Sequence, residues 1–510
     1  MSASTSPPPP ASAPAPSKVS AALAKDRHCA PAVGFFILAG VAPLTVTEGV
    51  VPSAFGATGL TSVPAAFLVV AAVLAVFVIG YLAMACRIPN AGAAYAFISQ
   101  GLGKPAGMAG WLVAVVAYNL LQVGLYGMIG PQLASFAANN FNLHAAWWVW
   151  GFGAWAVVAA LGLLRVDLSG RVLGVLSVLE LVVIVAVTVR GLTHPAAGGV
   201  SFTALSPASL HASSLGAVLA VAVLGFVGIE QGPVFSEEAR NPKRSIPMAT
   251  YISLGVIAVI YAAASWALVV HYGNQVVPTA QGPAGTGMLF AMAPGLVAST
   301  GRCLFLTSLL AAALAFHTAV GRYMWAVGRE RVLPTVIGTT GSTGAPQAAS
   351  LMQSLLGAVA ILLTMGLHWD PVGQLFFWGG TTGGVGILLL LTATSAAVVR
   401  FFWTRPGEET VWRRLVAPAA ATVLLAAMTW LCIDHFDVLL NVAPGSLPTK
   451  ILPGLFGAAA VIGASWALVL KHRQPAAYAA IGLGSVALTQ RPATVGTKAT
   501  PSAAKTGNAS

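Results

Sequence analysis

Charged residues are scarce in this sequence. Only 7% of its 510 residues are charged, whereas a soluble globular chain carries about 25%. This scarcity excludes a water-soluble domain as the main body of the chain. Cysteines are also few, and the four that occur (Cys29, Cys86, Cys303 and Cys432) have no paired spacing typical of a metal site or a redox pair. We therefore predict no metal site and no cofactor.

Long apolar runs dominate what remains, and 57% of all residues are hydrophobic. A helix needs about 20 apolar residues to cross a hydrocarbon core of roughly 30 Å. Twelve runs approach this length, at residues 32–55, 64–85, 108–133, 146–164, 172–189, 215–233, 249–270, 303–321, 349–365, 375–399, 415–432 and 451–470. The sequence predicts an all-α integral membrane protein with 12 transmembrane helices.

Lysine and arginine are placed asymmetrically around these runs. If the first end is cytoplasmic, 22 of the 25 basic residues lie in inner segments, and the outer segments hold only Arg190, Arg302 and Lys450. Basic residues favour cytoplasmic loops, and an even number of spans places both termini in the cytoplasm. We predict a multi-pass protein of the cell membrane, surrounded by the lipid bilayer. The net charge of +12 therefore reflects topology and does not indicate nucleic acid binding.

The two ends of the chain differ from its centre in composition. Residues 1–30 are rich in Pro, Ala and Ser and lack the apolar core of a signal peptide, so we predict a disordered cytoplasmic tail. Residues 472–510 predict a second disordered cytoplasmic tail. Between the tails no polar stretch is long enough for another folded domain. The longest outer connection, 271–302, mixes Gly, Pro and short apolar pieces, which predicts a lid or a re-entrant segment at the outer face.

Two of the runs contain residues that interrupt helices. The first includes APLTVTEGVVP at residues 42–52, and the sixth includes LGFVGIEQGP at residues 224–233. Proline removes a backbone donor and clashes with the preceding turn. Freed backbone at membrane depth is tolerated only inside the protein or beside a water-filled cavity. Interrupted helices five spans apart are expected of two inverted five-helix repeats with a substrate site between them.

Three loop motifs resemble those of the amino acid, polyamine and organocation permease superfamily. They are RIPNAGAAY at residues 87–95 after the second run, EEARNPKRSIP at 237–247 after the sixth, and RYMWAVGRERVLP at 322–334 after the eighth. All three lie on the side that the charges assign to the cytoplasm. The resemblance covers about residues 32–399, and the last two runs match by hydropathy alone.

The resemblance implies a fold and a function. It implies a ten-helix core at residues 31–400 with broken helices 1 and 6, inverted repeats at about 31–190 and 212–400, and two peripheral helices at 401–471. It further implies a secondary active transporter that moves an amino acid or related organic amine by alternating access, without catalytic residues. Amides of the broken first helix then hold the substrate carboxylate, and carbonyls of the broken sixth hold its ammonium. The positions that match are Thr45, Thr47, Glu48 and Gly49, and Gly225, Phe226, Gly228 and Glu230.

Acidic side chains within the runs are candidate functional groups, since ionisable residues in a membrane are costly and usually face a cavity or a partner. Glu230 either binds substrate or hydrogen-bonds loosened backbone. Glu48 either binds an amine, carries a proton or pairs within the bundle. Glu180 either couples protons or forms an interhelical hydrogen bond.

Other polar and aromatic residues also have two interpretations. Tyr118, Gln122 and Tyr126 form an i, i+4, i+8 stripe that either lines the substrate pathway or holds neighbouring helices. His317 is a candidate proton relay, because histidine titrates near neutral pH, or a packed neutral side chain. Phe226 is either a gate over bound substrate or a core aromatic. The resemblance implies that sodium coupling uses an adjacent hydroxyl pair on the eighth helix, and with only Thr318 near His317 we expect proton coupling or exchange instead of sodium coupling.

Alternative functions remain open. A polyamine or other organic-cation carrier, or a sensor built on a transport fold, would have a similar sequence. An enzyme would need a clustered catalytic constellation, and the sequence shows dispersed acids instead. The charges of the inner loop 237–244 either form ion pairs with Arg87 or Arg322 that latch an inner gate, or they are solvated. The sequence does not specify an oligomeric state.

Overall fold

The computed structural model describes residues 30–163, 166–210, 215–282, 285, 287–293, 295–341 and 344–484. For residues 166–173 it describes the backbone only. The predicted N-terminal tail, except Ala30, and residues 485–510 of the predicted C-terminal tail lie outside these ranges. Every element with defined bounds in the described ranges is helical.

Twelve helices of the described residues form the main bundle, and we number them in chain order. They are α1 (Ala30–Thr58), α2 (Val63–Ala85), α3 (Lys104–Phe141), α4 (Trp147–Leu163), α5 (Val166–Thr193), α6 (Leu215–Phe235), α7 (Pro242–Tyr272), α8 (Leu296–Arg329), α9 (Gln347–Gly366), α10 (Pro371–Thr404), α11 (Trp412–Asp434) and α12 (Leu447–Arg473). Shorter α-helices are Ala94–Leu102, Val276–Gln281, Met288–Ala291, Phe436–Leu440 and Pro475–Ala480.

Each predicted apolar run falls on one of these helices. In the described part of the chain, 11 helices are long and apolar enough to cross a membrane. The fourth run forms α4, a shorter apolar helix of 17 residues. The all-helical membrane architecture is therefore confirmed. The count of 12 crossings stays a prediction.

Helix α3 lies near the centre of the bundle, where it packs against α8, α10 and α12. Helix α1 packs against α5, α7, α8 and the second half of α6. Helices α9, α11 and α12 expose large apolar side chains, including Leu363, Trp430 and Val461. An exposed apolar face of this kind suits contact with lipid, because lipid tails are as apolar as these side chains.

The bundle has two ends, which we name by what they carry. The lid face carries the described residues between 271 and 295, and the tail face carries residues 475–484. The sequence predicts disorder from residue 472, whereas α12 continues to Arg473 and a helix follows at Pro475–Ala480. Ile481 is 1% exposed, so this part of the predicted tail is folded against the bundle. The prediction erred because the folded segment is short and consists mostly of alanine and glycine, and its partners are distant in sequence.

Candidate functional site

Both interrupted helices are broken at membrane depth. Helix α1 breaks at Ala42, a non-glycine residue with left-handed backbone angles (φ 51°, ψ 71°), and continues through a π-helical turn at Val46–Val50. Helix α6 unwinds at residues 225–228 and resumes as a 3₁₀-helix at Ile229–Phe235. Gly228 has φ +113°, and a Cβ there would lie 2.7 Å from the carbonyl carbon of Gly40. The break in α6 therefore lies directly against α1.

A cavity of about 130 Å³ lies between the two breaks. Val41 and Ala42 line it from the α1 break, and Leu224 and Val227 line it from the α6 break. Its polar side chains are Thr45, Ser53 and Thr381. The other described lining residues are apolar side chains or glycine, namely Val46, Val50, Ala57, Leu121, Leu125, Val221, Phe316, Phe376, Phe377, Gly380 and Leu439. No charged residue belongs to this described lining.

The cavity borders a wider space on the lid face. That space has a volume of about 570 Å³ and is lined by Gln281, Gln374 and Asn441, among others. Ser53, Ala57, Phe377 and Leu439 line both spaces. The central cavity is therefore adjacent to a path that leads toward the lid face.

Ion pairs close the opposite, tail face. Arg322 Nε lies 2.7 Å from Glu238 Oε1, and both side chains are almost fully buried. Arg329 binds Glu237 through two hydrogen bonds of 2.7 and 2.8 Å. These contacts confirm that the loop 237–244 pairs with Arg322. The predicted alternative partner, Arg87, instead lies over the ring of Phe402.

The start of the C-terminal tail adds a second layer to this closure. The Glu330 carboxylate accepts hydrogen bonds from the backbone amides of Gly482 (3.0 Å) and Gly484 (2.7 Å) and from the Tyr95 hydroxyl. Lys104 Nζ donates to the Ala479 carbonyl at 2.8 Å. Burial raises the pKa of Glu330, although its hydrogen-bond donors oppose that rise. The tail is therefore joined to a buried carboxyl group on the tail face.

Glu230 lies below the cavity, toward the tail face. Its Oε1 accepts from the Tyr118 hydroxyl at 2.6 Å, and its Oε2 accepts from the Gly228 amide at 2.8 Å. The Tyr81 hydroxyl donates to the Glu230 carbonyl at 2.7 Å. Both carboxylate oxygens thus bind groups of the protein. The ring of Tyr118 packs against Phe316, which lines the cavity, so Tyr118 and Glu230 support the cavity floor.

Glu180 connects three helices next to the cavity. Ser308 of α8 donates to its Oε2 at 2.9 Å, and Thr45 of α1 donates to Ser308 at 3.2 Å. The backbone amide of Leu44 also donates to Glu180. Because Thr45 lines the cavity, this chain of hydrogen bonds links the cavity wall to a buried acid.

Ser308 was not selected from the sequence. It belongs to an adjacent hydroxyl pair, Thr307 and Ser308, although the argument against sodium considered only Thr318. The eighth run therefore does contain an adjacent hydroxyl pair, and the preference for proton coupling over sodium stays a prediction. Thr307 donates to its own helix, at the Leu304 carbonyl, so only Ser308 of the pair contacts Glu180. The sequence could have revealed this pair, because Thr307 and Ser308 lie in the same apolar run as Thr318.

Glu48 lies on the other side of the α1 break, toward the lid face. It is 4% exposed and accepts hydrogen bonds from the backbone amides of Gly287 and Leu289. Its Oε2 has no hydrogen-bond partner among the described groups. Glu48 thus ties α1 to the short helix Met288–Ala291 of the lid segment. It is not among the cavity-lining residues.

Gln122 and His317 belong to a buried network away from the cavity lining. Gln122 Nε2 lies 3.2 Å from His317 Nδ1 and 3.0 Å from the Tyr126 hydroxyl. His317 Nε2 lies 2.8 Å from the Ser350 hydroxyl, and Gln353 donates to Gln122 Oε1 at 2.6 Å. The network joins α3, α8 and α9. The network supports the interpretation in which the polar stripe of α3 holds neighbouring helices together.

The remaining predicted residues surround the breaks. The Thr47 hydroxyl donates to the Pro43 carbonyl at 2.9 Å, and the Gly49 carbonyl accepts from Ser53 at 2.7 Å. Gly225 is buried in the unwound part of α6. The ring of Phe226 packs near Phe67 and Tyr261, with centroids 6.1 and 5.6 Å away. Of the ten predicted substrate contacts, Thr45 alone is among the described lining residues.

Comparisons with known proteins give matches along most of the chain. Residues 33–467 match the amino acid permease family. A cadaverine/lysine antiporter of Escherichia coli strain K12 is 29% identical over 150 residues, which are 28% of this chain and 32% of that protein. A branched-chain amino acid permease of Lactococcus lactis is 23% identical over 354 residues, 61% of this chain and 70% of that protein.

A third relative, described as an uncharacterized transporter of Mycobacterium tuberculosis, is 28% identical over 265 residues, 49% of this chain and 54% of that protein. The alignments therefore span about a third of the antiporter and larger parts of the other two proteins.

Proposed function

Because this chain belongs to the amino acid permease family, we propose that it is a secondary active transporter of an amino acid or related organic amine that works by alternating access. The observation that carries the proposal is the cavity between the breaks of α1 and α6. It adjoins a space on the lid face, while buried ion pairs close the tail face. A carrier needs one substrate site with access from one side at a time, and this arrangement supports such a cycle.

We propose a topology with 12 spans, two inverted five-helix repeats and both termini in the cytoplasm of the cell. The distribution of basic residues supports it, because only Arg190, Arg302 and Lys450 would lie outside. The tail face is then cytoplasmic and the lid face external. The conformation described here is accordingly the one that admits substrate from outside.

We propose that backbone groups of the two breaks hold the common part of the substrate. Amides near Thr45, Thr47, Glu48 and Gly49 would bind its carboxylate, since broken helices leave donors without partners. Carbonyls at residues 225–228 would bind its ammonium. In this proposal Tyr118 and Glu230 act as positioning residues, because the Glu230 carboxylate hydrogen-bonds the Gly228 amide and so shapes the break.

Proton coupling is the proposed energy source, with Glu180 as the group that carries the proton. Its hydrogen-bond chain through Ser308 to Thr45 connects it to the cavity wall. Release of the proton would change the bonds between α1, α5 and α8, which are the contacts that an opening of α1 must alter. His317 stays a second candidate for this role, and its bonds to Gln122 and Ser350 favour packing instead.

Exchange of one organic amine for another is the second candidate mode of transport. The similarity to a cadaverine/lysine antiporter supports it. An exchanger and a proton-coupled permease differ in whether uptake requires substrate on the opposite side.

Uptake into proteoliposomes tests these proposals. The purified protein should take up labelled amino acids or amines saturably, and an inward proton gradient should drive accumulation. Glu180→Gln should abolish the effect of the proton gradient while counterflow of the same substrate persists. The control is Glu408→Gln, at an exposed acid outside the spans. If no amino acid or amine shows counterflow, the transporter proposal fails, and if Glu180→Gln keeps gradient-driven accumulation, the coupling proposal fails.

A further inference from the structure

We infer that the substrate of the central cavity is a neutral amino acid with an apolar side chain, and that basic amino acids and diamines are excluded. This inference rests on the proposed transport function and adds the chemical class of the substrate. It is carried by the composition of the cavity wall and by the positions of the three buried acids around it.

The cavity has a polar end and an apolar end. Its polar end is the break of α1, where Ala42 and Thr45 lie beside backbone that is not part of a regular helix. Away from this break most of the wall is made of apolar side chains from other helices, with Thr381 of α10 and Ser53 as its polar members. Leu121 and Leu125 come from α3, Phe316 from α8, and Phe376 and Phe377 from α10. A ligand that binds its carboxylate and ammonium at the breaks would place its side chain against this wall.

The size of the cavity also suits an apolar side chain. Its volume is about 130 Å³. An apolar cavity of about 150 Å³ in another protein binds benzene. A space of this size, part of which holds the carboxylate and ammonium, therefore suits a compact apolar side chain and not a long one. A long polar chain would also need hydrogen-bond partners, and Thr45, Ser53 and Thr381 are the only polar side chains in the described lining.

Among the described residues, no carboxylate lines the cavity to receive a second ammonium group. Glu230 uses both oxygens on Tyr118 and the Gly228 amide. Glu180 binds Ser308, which separates it from Thr45. Glu48 binds amides of the lid segment, and none of the three acids belongs to the lining. A charged side chain in this cavity would lose its water without gaining an opposite charge, which is strongly unfavourable.

Competition for counterflow in proteoliposomes tests the inference. The panel is leucine, valine, phenylalanine, lysine, glutamate and cadaverine. We expect leucine, valine or phenylalanine to be exchanged, with kcat/KM at least about 100-fold above that of lysine or cadaverine, because an unpaired buried charge discriminates more strongly than a missing methylene. If lysine or cadaverine is the best substrate, the inference is overturned and the transporter proposal stands. If nothing on the panel is exchanged, both are overturned.

A charge introduced into the wall gives a second test. Leu121→Glu should lower the preference for leucine over lysine by at least about tenfold, because it supplies the missing opposite charge. Leu121→Gln is the matched control, with similar size and no charge, and it should not improve lysine transport. A preference unchanged in a folded, active Leu121→Glu protein would overturn the assignment of this wall to the substrate side chain.

Leu125→Ala covers the case in which the glutamate variant does not fold. Removing this side chain enlarges the apolar end, so the ratio of phenylalanine to valine transport should rise by about tenfold or more. An unchanged ratio would overturn the assignment in the same way. Size-exclusion profiles and retained uptake of one substrate establish that each variant is folded.

Discussion

Docking of the C-terminal segment on Glu330 provides the sharpest structural prediction. Glu330 accepts hydrogen bonds from the amides of Gly482 and Gly484 and from the Tyr95 hydroxyl, and its side chain is 1% exposed. Glu330→Ala leaves the Gly484 amide and the Tyr95 hydroxyl without this acceptor, whereas the Gly482 amide keeps a second hydrogen bond, to the Tyr95 hydroxyl at 3.1 Å. Each unsatisfied buried donor costs about 1–3 kcal/mol. The variant also removes a buried carboxyl group, which offsets part of this cost. We therefore expect the free energy that stabilises the docked residues 475–484 to fall by about 2 kcal/mol.

Hydrogen exchange of the detergent-purified or reconstituted protein measures this loss. Since 1.4 kcal/mol corresponds to a factor of ten, amides in residues 475–484 should exchange about 30-fold faster in the variant. Exchange in the helix Val276–Gln281, on the lid face, should not change. Glu408→Gln, at an exposed acid, is the control and should leave exchange in the segment unaltered.

Two further variants separate the carboxyl group from general damage. Glu330→Gln keeps one acceptor oxygen and should have a smaller effect than alanine, because burial already raises the pKa of Glu330 and favours its neutral form. Gly482→Ala should disturb docking without touching Glu330. Gly482 has φ +75°, and a Cβ there would lie 2.5 Å from the Cβ of Ser99. Unchanged exchange in the segment of a folded Glu330→Ala protein would refute the reasoning.

Three other predictions concern the gate, the break and the topology. Arg322→Gln removes the buried ion pair with Glu238 and so weakens the closure of the tail face. It should alter uptake turnover more than external KM, and equal changes in both would contradict a gating role. Gly228 has φ +113°, and Gly228→Ala would place a Cβ against the α1 backbone. The variant should have a lower folded yield or thermal stability. A stable, fully active variant would argue against this close approach. In a cysteine-free background, His144→Cys should react with an impermeant maleimide on intact cells. Glu408→Cys should react only after the cells are permeabilised, and the reverse pattern would invert the proposed topology.

The sequence by itself determined the class of architecture. Lipid offers no hydrogen-bond partners to the backbone, so a segment that spans it satisfies its own backbone groups as a helix. Such a segment is recognisable in the sequence as a long apolar run, and the structure has a helix at each predicted run. The breaks were predictable for the same reason. Proline and glycine in residues 42–52 and 224–233 interrupt a helix through local geometry, and the structure interrupts α1 and α6 there. Loop motifs and basic residues are likewise local signals.

The partners of the polar side chains were decided by the tertiary structure. Tyr118 and Glu230 are 112 residues apart, Ser308 and Glu180 are 128 apart, and Gly482 and Glu330 are 152 apart. A helical period indicates which residues share a face, but it does not indicate which other helix that face meets. The sequence therefore identified Glu48, Glu180 and Glu230 as unusual. Only the packing of the bundle directed their carboxylates away from the cavity and left an apolar wall around it.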